Sequence, residues 1–200
     1  MGRFTKPRTK VCRHLGTVVF SNTNVEKAFA KRESVNFNRR KQSEYGVRLI
    51  EKQKIMQYYG LREKQMRRLF DLARRIKGDT GHNFLMLCER RLDNIICASG
   101  FAMSRSAARQ LTAHGHILVN GKKCDVASRL LVVGDTVTVQ DKPGILKLVD
   151  TAIEARSGMN TPEWLAVDSK ARSIRVLRLP EREDVTLPVN EQLVVEFYSR

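Results

Sequence analysis

The stretch ERRLDNIICASGFAMSRSAARQLTAHGHILVNGKK, residues 89–123, decides the predicted fold of the central part of the chain. Apolar residues recur at helical spacing from Leu85 onward, which predicts one amphipathic helix that ends at Gly100. Ser104 is a favourable N-cap for a second helix, which the sequence extends to about Ala113. Two short helices in succession are therefore expected.

A tight β-hairpin is predicted directly after the second helix. Residues 116–119 (HILV) have the composition of a strand, and Asn120-Gly121 is one of the strongest short turn signals. The helices and the hairpin gather basic side chains in one region, where Glu89 and Asp93 are the acidic residues. These basic side chains are Arg90, Arg91, Arg105, Arg109, Lys122 and Lys123. Basic residues at the starts of helices and next to turns are typical of proteins that bind a phosphate backbone.

The positive charge of the chain is concentrated in its N-terminal part. The formal net charge is +16, and residues 1–77 hold 21 Lys and Arg against 6 Asp and Glu. The remaining residues, 78–200, hold 16 basic against 15 acidic residues and are nearly neutral. Such asymmetry favours a long polyanion as the partner of the N-terminal part. A membrane surface is disfavoured because no strongly hydrophobic amphipathic face accompanies the charge.

Membrane insertion, secretion and metal binding find no support in the sequence. No apolar run has the length of a membrane span, and the first ten residues, MGRFTKPRTK, lack the hydrophobic segment of a secretory signal. We therefore expect a soluble intracellular protein. Its four cysteines lack the close paired spacing of zinc ligands, so we expect neither a metal nor a cofactor. Cys88 and Cys97 are interpreted as small buried thiols.

The N-terminal part divides into a basic arm and two helices. Residues 1–40 are basic and weakly periodic, which predicts an extended arm that becomes ordered on its partner. A first helix is expected from Ser43 to the Tyr58-Tyr59-Gly60 stretch, and a second from about Glu63 to Ile76. The second would bury its apolar residues, Met66, Leu69, Phe70, Ala73 and Ile76, and expose a basic face.

The C-terminal half has mixed secondary-structure signals. Strands are expected within residues 132–139, at 164–168 and at 174–178, and a helix is expected over 145–156. The chain closes with a further helix candidate at 189–199. Strands mixed with helices place the chain in the α+β class.

The central stretch resembles the RNA-binding module of the S-four family of small-subunit ribosomal proteins. The matching segments are RLDN (91–94), GFA (100–102), ARQ (108–110) and HGHILVNGKK (114–123). Segments outside the module are similar to the bacterial-type members of this family, and the resemblance runs from about residue 3 to the C-terminus. They are SEYGVRL (43–49), EKQK (51–54), PEWLAVD (162–168) and NEQLVVEFYS (190–199).

The resemblance implies a discontinuous helical domain with an inserted RNA-binding domain, whose helices pack on a small, mostly antiparallel sheet. The expected boundaries are a basic arm at 1–40, the helical domain at 41–91 and 179–200, and the inserted domain at 92–178. The resemblance also implies a ribosome-bound, cytoplasmic protein that binds small-subunit ribosomal RNA early in assembly, at a helix junction of the 5′ domain. Its implied partners are the fifth and third small-subunit proteins and messenger RNA at the channel through which it enters, with an influence on decoding accuracy.

The candidate RNA-binding residues come from the arm, the two N-terminal helices and the central module. They are Arg3, Lys6, Arg8, Lys10, Arg13, Arg39, Arg40, Lys41, Arg48, Lys52, Lys54, Arg62, Lys64, Arg67, Arg68, Arg90, Arg91, Ser104, Arg105, Arg109, Gln110, His114, His116, Asn120, Lys122 and Lys123. By position, Arg39, Arg40 and Lys41 would line the messenger channel. The family usually carries a proline-glycine-glutamine-histidine-glycine loop before its tyrosine-glycine pair, and residues 34–41 depart from it.

Two other classes of protein carry related features. Pseudouridine synthases often contain this module and use the aspartate of an arginine-leucine-aspartate motif, which Arg91-Leu92-Asp93 matches in letters. Here the motif lies inside the module, no catalytic domain surrounds it, and Asp93 is expected to pair locally with Arg90. A DNA regulator with a helix-turn-helix would need a dimerisation element, which the sequence lacks. We therefore expect no enzymatic activity.

Overall fold

The computed structural model describes residues 7–20, 23–33, 43–156, 158 and 160–199. Within these residues the chain forms nine α-helices and five β-strands. The helices are α1 (Arg8–Leu15), α2 (Thr23–Glu33), α3 (Glu44–Tyr58), α4 (Glu63–Arg75), α5 (Thr80–Glu89), α6 (Leu92–Ala98), α7 (Arg105–Ala113), α8 (Pro143–Ala155) and α9 (Glu191–Tyr198). The strands are β1 (Ile117–Val119), β2 (Lys122–Cys124), β3 (Thr136–Val139), β4 (Leu165–Asp168) and β5 (Ser173–Val176).

The chain separates into two compact units, of which one is discontinuous. The helical unit comprises Met1–Asp71 and Leu187–Arg200, and the mixed unit comprises Leu72–Thr186. The domain boundaries expected from the sequence, at 91/92 and 178/179, stay a prediction. None of the helices in the described part of the chain is long and apolar enough to cross a membrane.

The C-terminal helix α9 completes the helical unit by packing against α3. Arg48 donates from Nε to Glu196 at 2.6 Å. Glu51 accepts a hydrogen bond from the backbone N–H of Asn190, at the start of α9. Since residues far apart in sequence share one core, the expectation of a discontinuous helical domain is confirmed.

A five-stranded antiparallel sheet organises the mixed unit, with strand order β2-β1-β3-β5-β4. Fully buried side chains from α6, α7 and α8 form one core with the sheet. Leu92, Ala108, Val149 and Trp164 are all completely buried there. Alternating inward positions, such as Ile117 and Val119 of β1, complete this core. The predicted α+β class is therefore confirmed.

The β1–β2 hairpin forms as the sequence predicts. Asn120 and Gly121 both have positive φ angles, 53° and 74°, as a two-residue hairpin turn of the primed type requires. Asn tolerates this left-handed conformation better than most residues, and Gly adopts it without steric strain. The turn therefore places Lys122 directly opposite Val119.

The single helix expected before Gly100 is wrong, because the structure has two helices there. Arg91 is extended, with φ −67° and ψ 137°, and forms an isolated antiparallel bridge with Leu130. The backbone N–H of Leu92 donates to the carbonyl of Arg129. These long-range hydrogen bonds separate α5 from α6. Both helices are buried, so apolar residues continue on each side of the break and the sequence resembles one helix.

The extended conformation expected for residues 1–40 is also wrong where the structure describes them. Residues 8–15 and 23–33 are helical, and Cys12, Leu15 and Val25 are buried. The free energy gained by burying apolar side chains can offset the conformational entropy lost when a basic segment becomes ordered. Farther along, Ile76 follows the end of α4 and is 41% exposed, so its expected burial is wrong as well.

Candidate nucleic-acid interface

Helix α7 carries two half-buried arginines at the edge of its buried face. The side chain of Ser104 accepts a hydrogen bond from the backbone N–H of Ala107, which confirms the predicted N-cap. Ala108 and Leu111 are buried on the core side of the helix. Arg105 and Arg109 lie one turn apart and share a face, as their spacing predicts, and this face borders the buried Thr112.

A buried carboxylate joins α6 to α7. Asp93 is 1% exposed and accepts hydrogen bonds from two arginines. Nη2 of Arg91 lies 2.8 Å from Oδ2, and Nη2 of Arg109 lies 2.6 Å from the same oxygen. Arg91 is itself only 2% exposed, so the structure places this candidate in the interior. Buried carboxylates are stable only when charges and hydrogen bonds of this kind surround them.

The expected pair between Asp93 and Arg90 is wrong. Nε of Arg90 donates instead to the backbone carbonyl of Leu131 at 2.9 Å. Burial lowers the pKa of the Arg90 guanidinium, and the nearby Asp135 carboxylate opposes that shift. The long-range bridge between Arg91 and Leu130 turns Arg90 toward this carbonyl, which sequence spacing on a continuous helix does not predict.

A second polar contact lies beside the Asp93 cluster. The side-chain oxygen of Asn94 accepts a hydrogen bond from Nε of Arg105 at 2.8 Å. The side-chain nitrogen of Asn94 donates to the carboxylate and the backbone carbonyl of Glu89. Asn94 is 1% exposed, and hydrogen bonds hold both the oxygen and the nitrogen of its side-chain amide. Sequence reasoning missed Asp93 and Asn94 as partners of the α7 arginines.

The hairpin exposes its lysines and uses its asparagine internally. Lys122 and Lys123 are exposed, whereas the side chain of Asn120 donates to Asp135 at 2.7 Å. Its side-chain oxygen accepts from the backbone N–H of Thr136 at 2.8 Å, so this side chain braces the turn against β3.

The remaining polar candidates of the module lie near the end of α7. Gln110 and His114 are exposed, and His116 is half-buried. Nδ1 of His116 is buried and has no hydrogen-bond partner among the described residues.

Three basic candidates of helix α3 are engaged by carboxylates within the helical unit. Arg48 contacts Glu44 and Glu196, and hydrogen bonding to Glu196 raises the pKa of its guanidinium. Lys52 is 7% exposed, pairs with Glu63 and lies over the rings of Phe197 and Tyr198. Lys54 pairs with Glu51 at 2.6 Å. The RNA-binding candidates on α3 are therefore all paired with the protein's own carboxylates.

Helix α4 has a different environment. Lys64, Arg67 and Arg68 are exposed, and none of them forms an ion pair with a residue that the structure describes. Arg62, just before the helix, is also exposed. This surface of α4, defined by Lys64, Arg67 and Arg68 and called here the α4 cation face, carries a net charge of +3.

The candidates of the N-terminal arm are only partly described. Arg8, Lys10 and Arg13 of α1 are exposed, and Arg8 lies over the ring of Phe20 at 5.6 Å. The other candidates of the arm lie outside the described residues. They are Arg3, Lys6, Arg39, Arg40 and Lys41.

The cysteines do not assemble a reactive or metal-binding site in the part of the chain that the structure describes. All four are buried and reduced, which confirms the interpretation of Cys88 and Cys97. Burial raises the pKa of the Cys88 thiol far above its usual range, so it stays protonated. No group of His, Cys, Asp or Glu among the described residues has the arrangement of a metal site.

Known sequence families match most of the chain. Residues 3–89 match the family described as "Ribosomal protein S4/S9 N-terminal domain", and residues 90–137 match the "S4 domain". The second match contains α6, α7 and the β1–β2 hairpin, with the cluster around Asp93.

Individual relatives match the chain from end to end. Small ribosomal subunit protein uS4 of Natranaerobius thermophilus is 44% identical over 209 residues. The proteins of the same name from Brevibacillus brevis and Thermus thermophilus are 43% and 42% identical over 201 and 209 residues. Each alignment covers 100% of both chains.

A ribosomal protein family thus accounts for the whole chain, including the segments outside the module. The pseudouridine synthase and DNA regulator alternatives lose their basis, because the matched relatives are named as ribosomal proteins over their full length. The chain belongs to the uS4 family of small ribosomal subunit proteins, which are structural components of the ribosome and not enzymes.

Proposed function

We propose that this protein binds small-subunit ribosomal RNA directly, through exposed basic residues on both of its units. The observation that carries the proposal is the α4 cation face. Lys64 and Arg68 are one helical turn apart, and like charges at that spacing destabilise an isolated helix. A polyanion that neutralises them removes this repulsion and gains affinity from the release of counterions.

The mixed unit supports RNA rather than another polyanion as the partner. Its exposed candidates belong to a helix and a hairpin turn, so they lie on differently shaped elements. Recognition of folded RNA depends on shape and on backbone contacts from several elements. In the mixed unit the proposed contacts are Arg105, Arg109, Gln110, His114, Lys122 and Lys123. Arg91 supports the fold instead, because it is only 2% exposed beside Asp93. Asn120 also supports the fold, because both ends of its side-chain amide bind Asp135 and Thr136.

The finer roles rest on the family resemblance. They are early binding to a helix junction in the 5′ domain, contact with the fifth and third small-subunit proteins, and contact with messenger RNA where it enters. An influence on decoding accuracy would act through the contact with the fifth protein. Arg39, Arg40 and Lys41 remain the candidates for messenger contact, by their position in the sequence.

A chemical footprint of the full-length protein on purified small-subunit ribosomal RNA tests the proposal. We expect protection concentrated at one helix junction, and affinity that falls steeply with added salt. Weak protection spread evenly over the RNA would reduce the protein to a generic basic binder. A nearly flat dependence on salt would contradict the phosphate contacts.

A further inference from the structure

Consecutive residues of α6 hold the two surface arginines of α7. Asp93 accepts from Nε and Nη2 of Arg109 through the same oxygen, at 3.0 and 2.6 Å. The next residue, Asn94, accepts from Nε of Arg105. A residue pair that is adjacent on one helix thus engages a pair that is one turn apart on the other.

The holding groups are buried, and the held arginines extend toward the surface. Asp93 and Asn94 are each 1% exposed, whereas the Arg109 side chain is 21% exposed. Asp93 faces the guanidinium groups of Arg91 and Arg109, so the cluster of these three residues keeps one net positive charge. Arg91 is buried, and therefore Arg109 carries the charge that solvent can reach.

We infer that Asp93 and Asn94 are positioning residues for RNA binding. They fix the side chains of Arg109 and Arg105 in one orientation, with Cβ atoms about 5–6 Å apart, as helix geometry sets for this spacing. Flexible arginines lose rotamer freedom when they bind, and side chains that are already fixed avoid most of that loss. The planar guanidinium can keep its hydrogen bond to the protein and still offer N–H groups to a phosphate oxygen. This inference rests on the proposed RNA-binding function.

The effect of D93N on RNA affinity distinguishes a positioning role of Asp93 from a purely electrostatic one. Replacing Asp93 by Asn removes a negative charge, so electrostatics alone predicts tighter binding to RNA. Positioning predicts weaker binding, because a neutral amide no longer holds Arg109 by charge-assisted hydrogen bonds. Asp125 offers a matched control, since it is exposed and forms no ion pair with any residue that the structure describes.

The experiment measures binding of the full-length protein to a transcript of the 5′ domain of small-subunit ribosomal RNA, at one fixed salt concentration. We expect D93N to lower affinity about tenfold, the scale of one charge-assisted hydrogen bond to phosphate. D125N should bind as tightly as wild type or more tightly. R109K keeps the charge but not the forked geometry and should also lose about tenfold. The double variant D93N/R109K should lose little beyond either single change.

Each outcome decides for or against the inference. Tighter binding by D93N, or additive losses in the double variant, would overturn it. If circular dichroism shows that D93N does not fold, the variants of Arg109 decide. R109K should then bind RNA as weakly as R109Q. The control R129K, at an exposed arginine, should bind as tightly as wild type. Wild-type affinity in R109K would overturn the inference. If wild-type protein itself fails to prefer the transcript over a duplex RNA of equal length, the proposed function fails together with the inference.

Discussion

Helices α4 and α7 both carry arginines that solvent can reach, but the surroundings of those arginines differ. Lys64, Arg67 and Arg68 of α4 extend from the surface without an ion-pair partner among the described residues. Arg105 and Arg109 of α7 are held by buried polar groups of the neighbouring helix. Charge counts along the sequence treat the two helices alike, and only the folded structure separates them.

The difference suggests that α4 contributes mainly affinity for RNA and α7 mainly specificity. Unheld cations attract any phosphate backbone and give salt-dependent affinity with little discrimination. Held arginines match only a partner whose phosphates fit their fixed geometry, so they favour a particular folded RNA. The predictions that follow test this comparison in turn.

Removing α9 should have the largest effect, because it dismantles the support of the α4 cation face. Tyr198 packs on Phe70 of α4 at 4.8 Å and donates to Glu63, and Val194 is buried. Deleting residues 190–200 should lower the free energy of unfolding by several kcal/mol, because it removes the buried Val194 together with the half-buried Phe197 and Tyr198, and loss of one large core side chain costs about 2–5 kcal/mol. Urea unfolding measures the change, with a chain shortened only by residue 200 as the control. An unchanged transition would mean that α9 does not stabilise this unit.

Neutralising the α4 cation face should have the next largest effect, confined to salt-dependent affinity. The triple variant K64Q/R67Q/R68Q should reduce the slope of log affinity against log salt by about 2–3, because each of the three lost phosphate contacts contributes roughly 0.7–0.9. Titrations at several salt concentrations measure the slope. The control K142Q/K147Q/K170Q removes three exposed lysines outside the candidate set. Equal slopes for the two triple variants would contradict a specific role for α4.

The smallest effect should come from another held arginine, Arg172. Asp150 accepts both hydrogen bonds from Arg172, at 2.7 and 2.8 Å, and this contact lowers the pKa of the Asp150 carboxyl. A lowered pKa adds stability above the unfolded-state value of about 3.9, and that stability is lost as pH falls through the lower folded-state value. D150N should therefore melt slightly below wild type at pH 7 and converge with it in acid.

This variant also sharpens the comparison between the two helices. Both partners of the Asp150–Arg172 pair are substantially exposed, at 39% and 31%, so solvent screens the interaction. Neither residue belongs to the candidate set, so D150N, like D125N, should bind RNA as tightly as wild type or slightly more tightly. A loss of affinity in D150N would mean that any held arginine, and not the α7 pair in particular, contributes to binding.

Local chemistry made several features predictable from the sequence. The Asn120-Gly121 turn requires two positive φ angles, which few residue pairs accept, so the hairpin follows from these two residues. The hydroxyl of Ser104 can satisfy an otherwise unpaired backbone N–H, which fixes the start of α7. The family segments beyond the module pointed to the discontinuous helical unit.

Features that depend on distant residues were missed. The break between α5 and α6 is caused by pairing with Arg129 and Leu130, about forty residues later in the chain. Lys52 and Arg91 were grouped with the surface cations, although each is buried beside a carboxylate. Composition records that a residue is basic and does not record whether the protein itself neutralises it.

The most direct test of the comparison is the ratio of two affinities, measured at one salt concentration. The ratio compares a transcript of the 5′ domain with a duplex RNA of equal length, for wild type, K64Q/R67Q/R68Q and R105K/R109K. The α4 variant should bind both RNAs more weakly and keep the wild-type ratio. In the α7 variant the ratio should fall about tenfold for each arginine replaced, while the affinity for duplex RNA changes little. A ratio that falls in the α4 variant and survives in the α7 variant would contradict the assignment of specificity to the held arginines.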